Sequence, residues 1–210
     1  KVDREAPELP VITKVPGTEW AQGNVRVTIA HGADADSGPE KTEYCFDGKS
    51  WVQYTGPLTV TETKTVYART TDKAGNVSDV AQEAIKIDSV PPTVPTITKS
   101  PDVAWADEPV VVTITPGTDG NSGVQGAEYS FDRITWYPYV EPVEVDRPVV
   151  VYARTIDEAG NRSATISVDV NVDITAPDVP EIIKNPATDW SNGSVTVSVR
   201  APEDTGSGLR

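Results

Sequence analysis

One stretch is written twice in this chain: Val66-Tyr-Ala-Arg-Thr-Thr-Asp-Lys-Ala-Gly-Asn76 and Val151-Tyr-Ala-Arg-Thr-Ile-Asp-Glu-Ala-Gly-Asn161. The two are 85 residues apart, and the offset recurs throughout. Trp20, Trp105 and Trp190 keep it, as do Asp3, Asp88 and Asp173, and Asp34, Asp119 and Asp204. So do Ser37-Gly38, Ser122-Gly123 and Ser207-Gly208. A fixed period of this length means an array of modules rather than one continuous core. It divides the chain into a first copy, 1–87, a second, 88–172, and the opening part of a third, 173–210.

Each full copy is small but long enough to fold by itself. The formal charge is −14, which argues against nucleic acid or an anionic membrane as partner, since both need basic surfaces. The chain has no methionine, which points to a piece of a longer precursor. Its one cysteine, Cys45, aligns with Ser130, so no intrachain disulfide forms, and Cys45 reads as a small strand residue. No apolar run approaches membrane-spanning length.

Proline-rich junctions open the copies: Asp3–Pro10, Asp88–Pro95 and Asp173–Pro180. Proline at this density blocks helix and ladder pairing, leaving stiff extended segments. First strands are expected near Val11–Lys14 and Thr96–Lys99. Alternating β-branched runs follow at Val25–Ile29, Val110–Ile114 and Val195–Val199. Tyr44–Phe46 and Tyr129–Phe131 alternate as well. Asp47-Gly48 signals a hairpin turn; Asp132-Arg133 stands there in the second copy, so a different turn is expected. In the long strand, parity puts Val66, Ala68 and Thr70 on one face and Tyr67 and Arg69 on the other. Last strands are expected at about Val80–Ile87 and Thr165–Val172. Roughly seven short strands per copy, without helix periodicity, predict an all-β fold of antiparallel sandwiches.

The recurring Trp, the Tyr-x-Phe-Asp-Gly-x-x-Trp-x-x-Tyr segment at 44–54, the Val-Tyr-Ala-Arg-Thr-x-Asp-x-Ala-Gly-Asn segment and the Asp-x-x-x-Pro junction resemble tandem bacterial immunoglobulin-like repeats. The resemblance implies immunoglobulin-like β-sandwiches of about 85 residues. It also implies a secreted or cell-surface setting, in adhesins, S-layer proteins or large secreted polysaccharide-degrading enzymes.

Catalysis has little to work with. His31 is the only histidine and aligns with Pro116; no Ser-His or Cys-His pair recurs. The chain reads as no enzyme. Cation binding is the sharper expectation. An immunoglobulin-like sandwich brings the junction and two loops to one end. The second copy would gather Asp88, Asp119, Asp157 and Asn161 there. The first would gather Asp3, Asp34, Asp72 and Asn76, with Asp36 nearby, while Asp173 and Asp204 begin a third set. Ca²⁺ accepts six to eight oxygen ligands of this kind, and some adhesins of this family place Ca²⁺ at such junctions. The competing reading makes the same aspartates turn residues, with Gly75 and Gly160 supplying positive φ.

Trp51, Tyr54, Trp136, Tyr137 and Tyr139 are candidates for stacking on sugar rings, or for filling and edging the sandwich. Trp20, Trp105 and Trp190 are expected as core or sheet-edge plugs. Residues 173–210 supply only two strands, to be completed by continuing chain or by another molecule. The resulting expectation is a structural stalk whose partners are its neighbouring repeats, with Ca²⁺ stiffening the junctions. The alternative is a glycan- or cell-wall-binding module beside an enzyme.

Overall fold

Alternation decides the strands. In the computed structural model, which describes residues 1–208, Val25, Val27 and Ile29 are buried while Arg26 and Ala30 are exposed. The described residues group into two compact units. The first holds Lys1–Val94, Pro116–Gly126 and Thr155–Ala164; the second holds Pro95–Thr115, Ala127–Arg154 and the chain from Thr165 on.

The first unit contains β1 (Val11–Val15), β2 (Trp20–Ala21), β3 (Val25–Ala30), β4 (Pro39–Cys45), β5 (Val52–Gln53), β6 (Leu58–Val60), β7 (Lys64–Asp72) and β8 (Ala81–Ile87). They form two sheets, β1-β3-β6 and β2-β8-β7-β4-β5. The chain crosses between sheets from β3 to β4, from β5 to β6 and from β6 to β7, which is the connectivity of an immunoglobulin-like sandwich. Pairing is antiparallel except for β2, which runs parallel to β8 with Trp20 opposite Lys86. Val25, Val27, Val60, Val66, Ala68 and Ile85 fill the space between the sheets. Full burial of one such valine or isoleucine is worth roughly 1.5–3 kcal/mol. Val66, Ala68 and Thr70 are wholly buried and Tyr67 and Arg69 only partly, as parity requires.

The second copy repeats the plan. Its strands are β9 (Thr96–Ser100), β10 (Val110–Thr115), β11 (Val124–Ser130), β12 (Tyr137–Pro138), β13 (Val143–Val145), β14 (Val149–Asp157) and β15 (Ile166–Val170). The sheets are β13-β10-β9 and β12-β11-β14-β15. The strand corresponding to β2 shrinks to a single bridge, Ala106 to Val172. Val110, Val112, Ile114, Val151, Ala153 and Val170 make the core, all within the second unit. In the third copy β16 (Glu181–Asn185) and β17 (Thr196–Arg200) pair antiparallel, with every residue exposed.

Two expectations are corrected. The turn at Asp132-Arg133 does not differ from that at Asp47-Gly48: Arg133 takes φ 64° where Gly48 takes 72°. A left-handed non-glycine residue costs about 1–2 kcal/mol. Ser130, the counterpart of Cys45, offsets part of it by accepting the amides of Asp132 at 3.2 Å and Arg133 at 2.8 Å. Of the tryptophans expected as core or sheet-edge plugs, Trp20 does sit half-buried at the sheet edge under the Lys86 ammonium, but Trp105 is 38 % exposed and Trp190 93 %. The alanines that follow the first two, Ala21 and Ala106, are the buried positions.

Candidate functional site

Each copy opens on an aspartate whose carboxylate is met by backbone amides. Asp3 Oδ1 accepts the Glu5 amide at 3.0 Å, and Oδ2 accepts the Ser37 amide at 3.0 Å. Asp34, in the loop after β3, accepts the Gly38 amide at 2.6 Å. Asp72 ends β7, wholly buried, and accepts the Asn76 backbone and side-chain amides, both at 2.8 Å. Gly75 between them has φ 92°, a conformation that favours glycine.

The second copy draws the same figure more tightly. Asp88 follows β8 directly and is 2 % exposed. Its Oδ1 accepts the Val90 amide at 2.9 Å and Asn121 Nδ2 at 3.3 Å. Its Oδ2 accepts the amide of Ser122 at 3.0 Å and its hydroxyl at 2.6 Å. Asp119 accepts the Asn121 and Gly123 amides, and Asp157 accepts both amides of Asn161. Asn161 Nδ2 donates onward to the Asp88 carbonyl at 2.9 Å.

Asp3, Asp34 and Asp72 therefore bring one carboxylate oxygen each within 4.8 Å of one another, and Asp88, Asp119 and Asp157 do the same. Asp36 stays outside, exposed, 3.5 Å from the Lys1 ammonium. In the third copy Asp173 accepts the Thr175 and Ser207 amides, and it lines one recess with Asp204, Trp105 and Ala106.

Asp3, Asp72, Asp88 and Asp173 are held below the ordinary carboxylate value. Burial pushes Asp88 up, but hydrogen bonds from the Ser122 hydroxyl, the Val90 and Ser122 amides and Asn121 outweigh it and hold the group below its ordinary value. Asp72 follows the same balance, with burial opposed by Asn76 and the loop amides. Ser37, then the Glu5 amide, lower Asp3, and Thr175 with Ser207 lower Asp173.

The two triads differ in their surroundings. Lys73 sits beside the first: its amide donates to the Gly38 carbonyl at 3.1 Å, and its side chain lines a recess with Lys1 and Asp3. Glu158 occupies the same position at the second, its amide donating to the Gly123 carbonyl at 2.9 Å. The Lys73 side chain lines a recess with Asp3 at the first triad, where the second copy carries Glu158.

The aromatic candidates are placed separately from these triads. The Arg69 guanidinium lies 4.3 Å from the Trp51 ring centre, and that of Arg154 lies 3.8 Å from Trp136. Glu43 and Glu128 hold the two arginines at 3.0 and 2.7 Å. One face of each tryptophan is thus occupied. The Tyr54 hydroxyl accepts the Ile29 amide at 3.1 Å, Tyr139 packs on the core, and Tyr137 is 45 % exposed. Sequence reasoning passed over Arg69 and Arg154 as partners of the tryptophans. Their spacing from Glu43 and Glu128, identical in both copies, was the available signal.

No protein-family model matches the chain, and no curated protein matches it. Among solved structures, the fibronectin(III)-like modules of Clostridium thermocellum CbhA are similar at 15 % identity and TM-score 0.43, over 77 % of this chain and 94 % of that one. The FN1–FN3 domains of chicken CNTN1 are similar at 13 % identity and TM-score 0.39, over 79 % and 68 %. A cytokine receptor complex is similar at 12 % identity and TM-score 0.32, over 75 % and 95 %. The fold assignment rests on the strand order given above.

Proposed function

We propose that this chain is a non-catalytic structural spacer, part of the stalk of a secreted or cell-surface protein of adhesin or S-layer type. The carrying observation is Asp88. It follows the last strand of one copy without a linker residue, donates its amide to the Ala21 carbonyl of that copy at 2.9 Å, and accepts the Ser122 amide of the next. The loops 116–126 and 155–164 group with the first copy in one compact unit. An array joined in this way repeats one 85-residue domain and transmits load between neighbours. Small-angle scattering on chains carrying one, two and three second copies tests the reading. A constant gain in maximum dimension per copy supports it; growth as the square root of copy number, the behaviour of freely jointed beads, overturns it.

The stiffening cation of this reading is Ca²⁺. The donor set fits: three hard carboxylate oxygens within 4.8 Å are close enough to share one ion at Ca–O distances of about 2.3–2.6 Å. Asp88, Asp119 and Asp157 would hold it in the second copy, and Asp3, Asp34 and Asp72 in the first. Thermal unfolding in millimolar Ca²⁺ and then in chelator tests this. An ion bound only to the folded state raises the midpoint; an unchanged midpoint leaves the aspartates as loop acceptors alone.

A further inference from the structure

Asn192 is the only asparagine of the chain followed directly by glycine. It stands in the connection between β16 and β17, where Ser191, Asn192, Gly193 and Ser194 are all exposed. Its carboxamide has no hydrogen-bond partner among the described residues. The Gly193 amide meets the Ser191 hydroxyl at 3.2 Å, and a Cβ added at Gly193 would meet nothing within 4 Å. Packing therefore does not require glycine here. What glycine does supply is an unhindered backbone nitrogen, because no side chain shields it from its neighbour. Asparagine is among the chemically labile residues, and its carboxamide carbon lies within reach of the next backbone nitrogen through a five-membered ring.

The rest of the molecule supplies the contrasts. Asn76 and Asn161 donate Nδ2 to Asp72 and Asp157, both at 2.8 Å, and are followed by Val77 and Arg162. Asn121 donates to Asp88 at 3.3 Å and Asn171 to the Ala104 carbonyl at 3.0 Å. The two exposed-turn aspartates that precede glycine are held as carboxylates. Asp47 accepts the Ser50 hydroxyl and the Ser50 and Lys49 amides, which lower its pKa to about 2. Asp119 accepts the Asn121 and Gly123 amides at 3.0 and 2.7 Å. An ionised carboxylate is a poor electrophile, so the Gly48 and Gly120 nitrogens have no ready target. Asn192 alone combines a neutral carboxamide, an unshielded nitrogen after it and freedom from restraint.

We propose that Asn192 is a site of spontaneous deamidation. The Gly193 nitrogen gives up its proton and bonds to Asn192 Cγ; the Cγ–Nδ2 bond breaks and ammonia leaves. The succinimide so formed takes up one water. Opening at one carbonyl gives aspartate, and opening at the other gives isoaspartate, in which the main chain runs through the former side chain. No oxidant, cofactor or enzyme takes part. The position corresponds to Gln22 and Asp107 in the earlier copies. Gln22 lines a recess with Ser122, Glu158 and Gly160, and Asp107 lines one with Asp173 and Asp204. Gln22 also precedes a glycine, Gly23, but its longer side chain must close a six-membered ring, which forms far more slowly. Deamidation thus changes this position of the third copy from the neutral type of the first to the charged type of the second. The inference goes beyond the spacer reading and does not depend on it.

The test incubates the full 210-residue chain in mildly alkaline buffer at body temperature and follows it by peptide mass mapping and an isoaspartate-specific methyltransferase assay. Asn192 should convert to isoaspartate in excess over aspartate, with ammonia released in equal amount, while the other asparagines stay amides over the same time. Gly193→Val should slow the conversion at least about tenfold, which corresponds to about 1.4 kcal/mol on the barrier. The added side chain has open space around it, so the variant should fold as the wild type does. The proposal falls if Asn192 stays an amide, if another asparagine converts faster, or if Gly193→Val reacts as quickly as the wild type. Aspartate without isoaspartate would also overturn it, because direct hydrolysis would then have replaced the ring.

Discussion

Asp88 accepts the backbone amide of Ser122, 34 residues further on, at 3.0 Å. Asp3 holds Ser37 across the same interval at 3.0 Å, and Asp173 holds Ser207 at 2.6 Å. The aspartate at the head of each junction is thereby tied to the loop after that copy's second long strand. The tie is a hydrogen bond to charge, which is stronger than a neutral one.

Asp88→Ala removes an acceptor from the Ser122 amide and hydroxyl and the Val90 amide in a nearly dry site. Loss of about 2–3 kcal/mol is expected, read as a lower urea midpoint. Asp36→Ala, at an exposed position outside the triad, should change stability by less than about 0.5 kcal/mol.

Acid should unfold the chain by way of the same groups. The folded-state pKa values of Asp3, Asp72 and Asp88 lie below the ordinary 3.8, so the unfolded chain binds more protons in that range. Their contribution is fully present above the unfolded value, near pH 4, and is lost as pH falls through the lowered folded values. A plot of unfolding free energy against pH should decline below about pH 4, and Asp88→Asn should flatten it. A wild-type curve without that decline contradicts the assignment.

If Ca²⁺ binds, the second triad should bind it more tightly than the first, because Glu158 stands where Lys73 stands in the first copy. Lys73→Glu should bring the two affinities together, and Glu158→Lys should weaken the second, both by several-fold in calcium titrations at low salt. Equal affinities in the wild type would contradict this electrostatic account.

The arginine–tryptophan stacks should be worth more than surface ion pairs. Arg154 lies over Trp136 and is only 19 % exposed at its side chain, against 18 % for Glu128. Arg154→Lys keeps the charge but loses the planar stack, and should cost about 1 kcal/mol. A cost near zero in thermal unfolding would show that the stack is incidental.

Ser130→Cys places the first copy's residue under a turn that has no glycine. It should destabilise by about 1–2 kcal/mol, because sulfur is a weak acceptor for the Asp132 and Arg133 amides. Adding Arg133→Gly should recover much of the loss by relieving the φ of 64°. Failure of the second change to rescue the first would separate the two positions.

Much of this was readable from the chain. Alternation at Val25–Ile29 and Val66–Thr70 located strands because one face of each is buried and the other is not. The period located the triads, because residues at equivalent positions in a sandwich share an end. What the sequence concealed has physical causes. Size alone left Trp20 between core and sheet edge; the large ring covers the edge while the small Ala21 fits between the sheets. Arg133 looked incompatible with a glycine turn, but Ser130 and the Tyr152 ring, 5.2 Å from its guanidinium, hold it there.

The most direct test of the account is ¹⁵N relaxation on the intact chain and on Asp88→Ala. In the wild type, amides of 116–126 and 155–164 should report the same rotational correlation time as those of the first copy's strands, and Asp88→Ala should separate them. Two distinct correlation times in the wild type would show freely jointed copies and contradict a spacer stiffened at its aspartates.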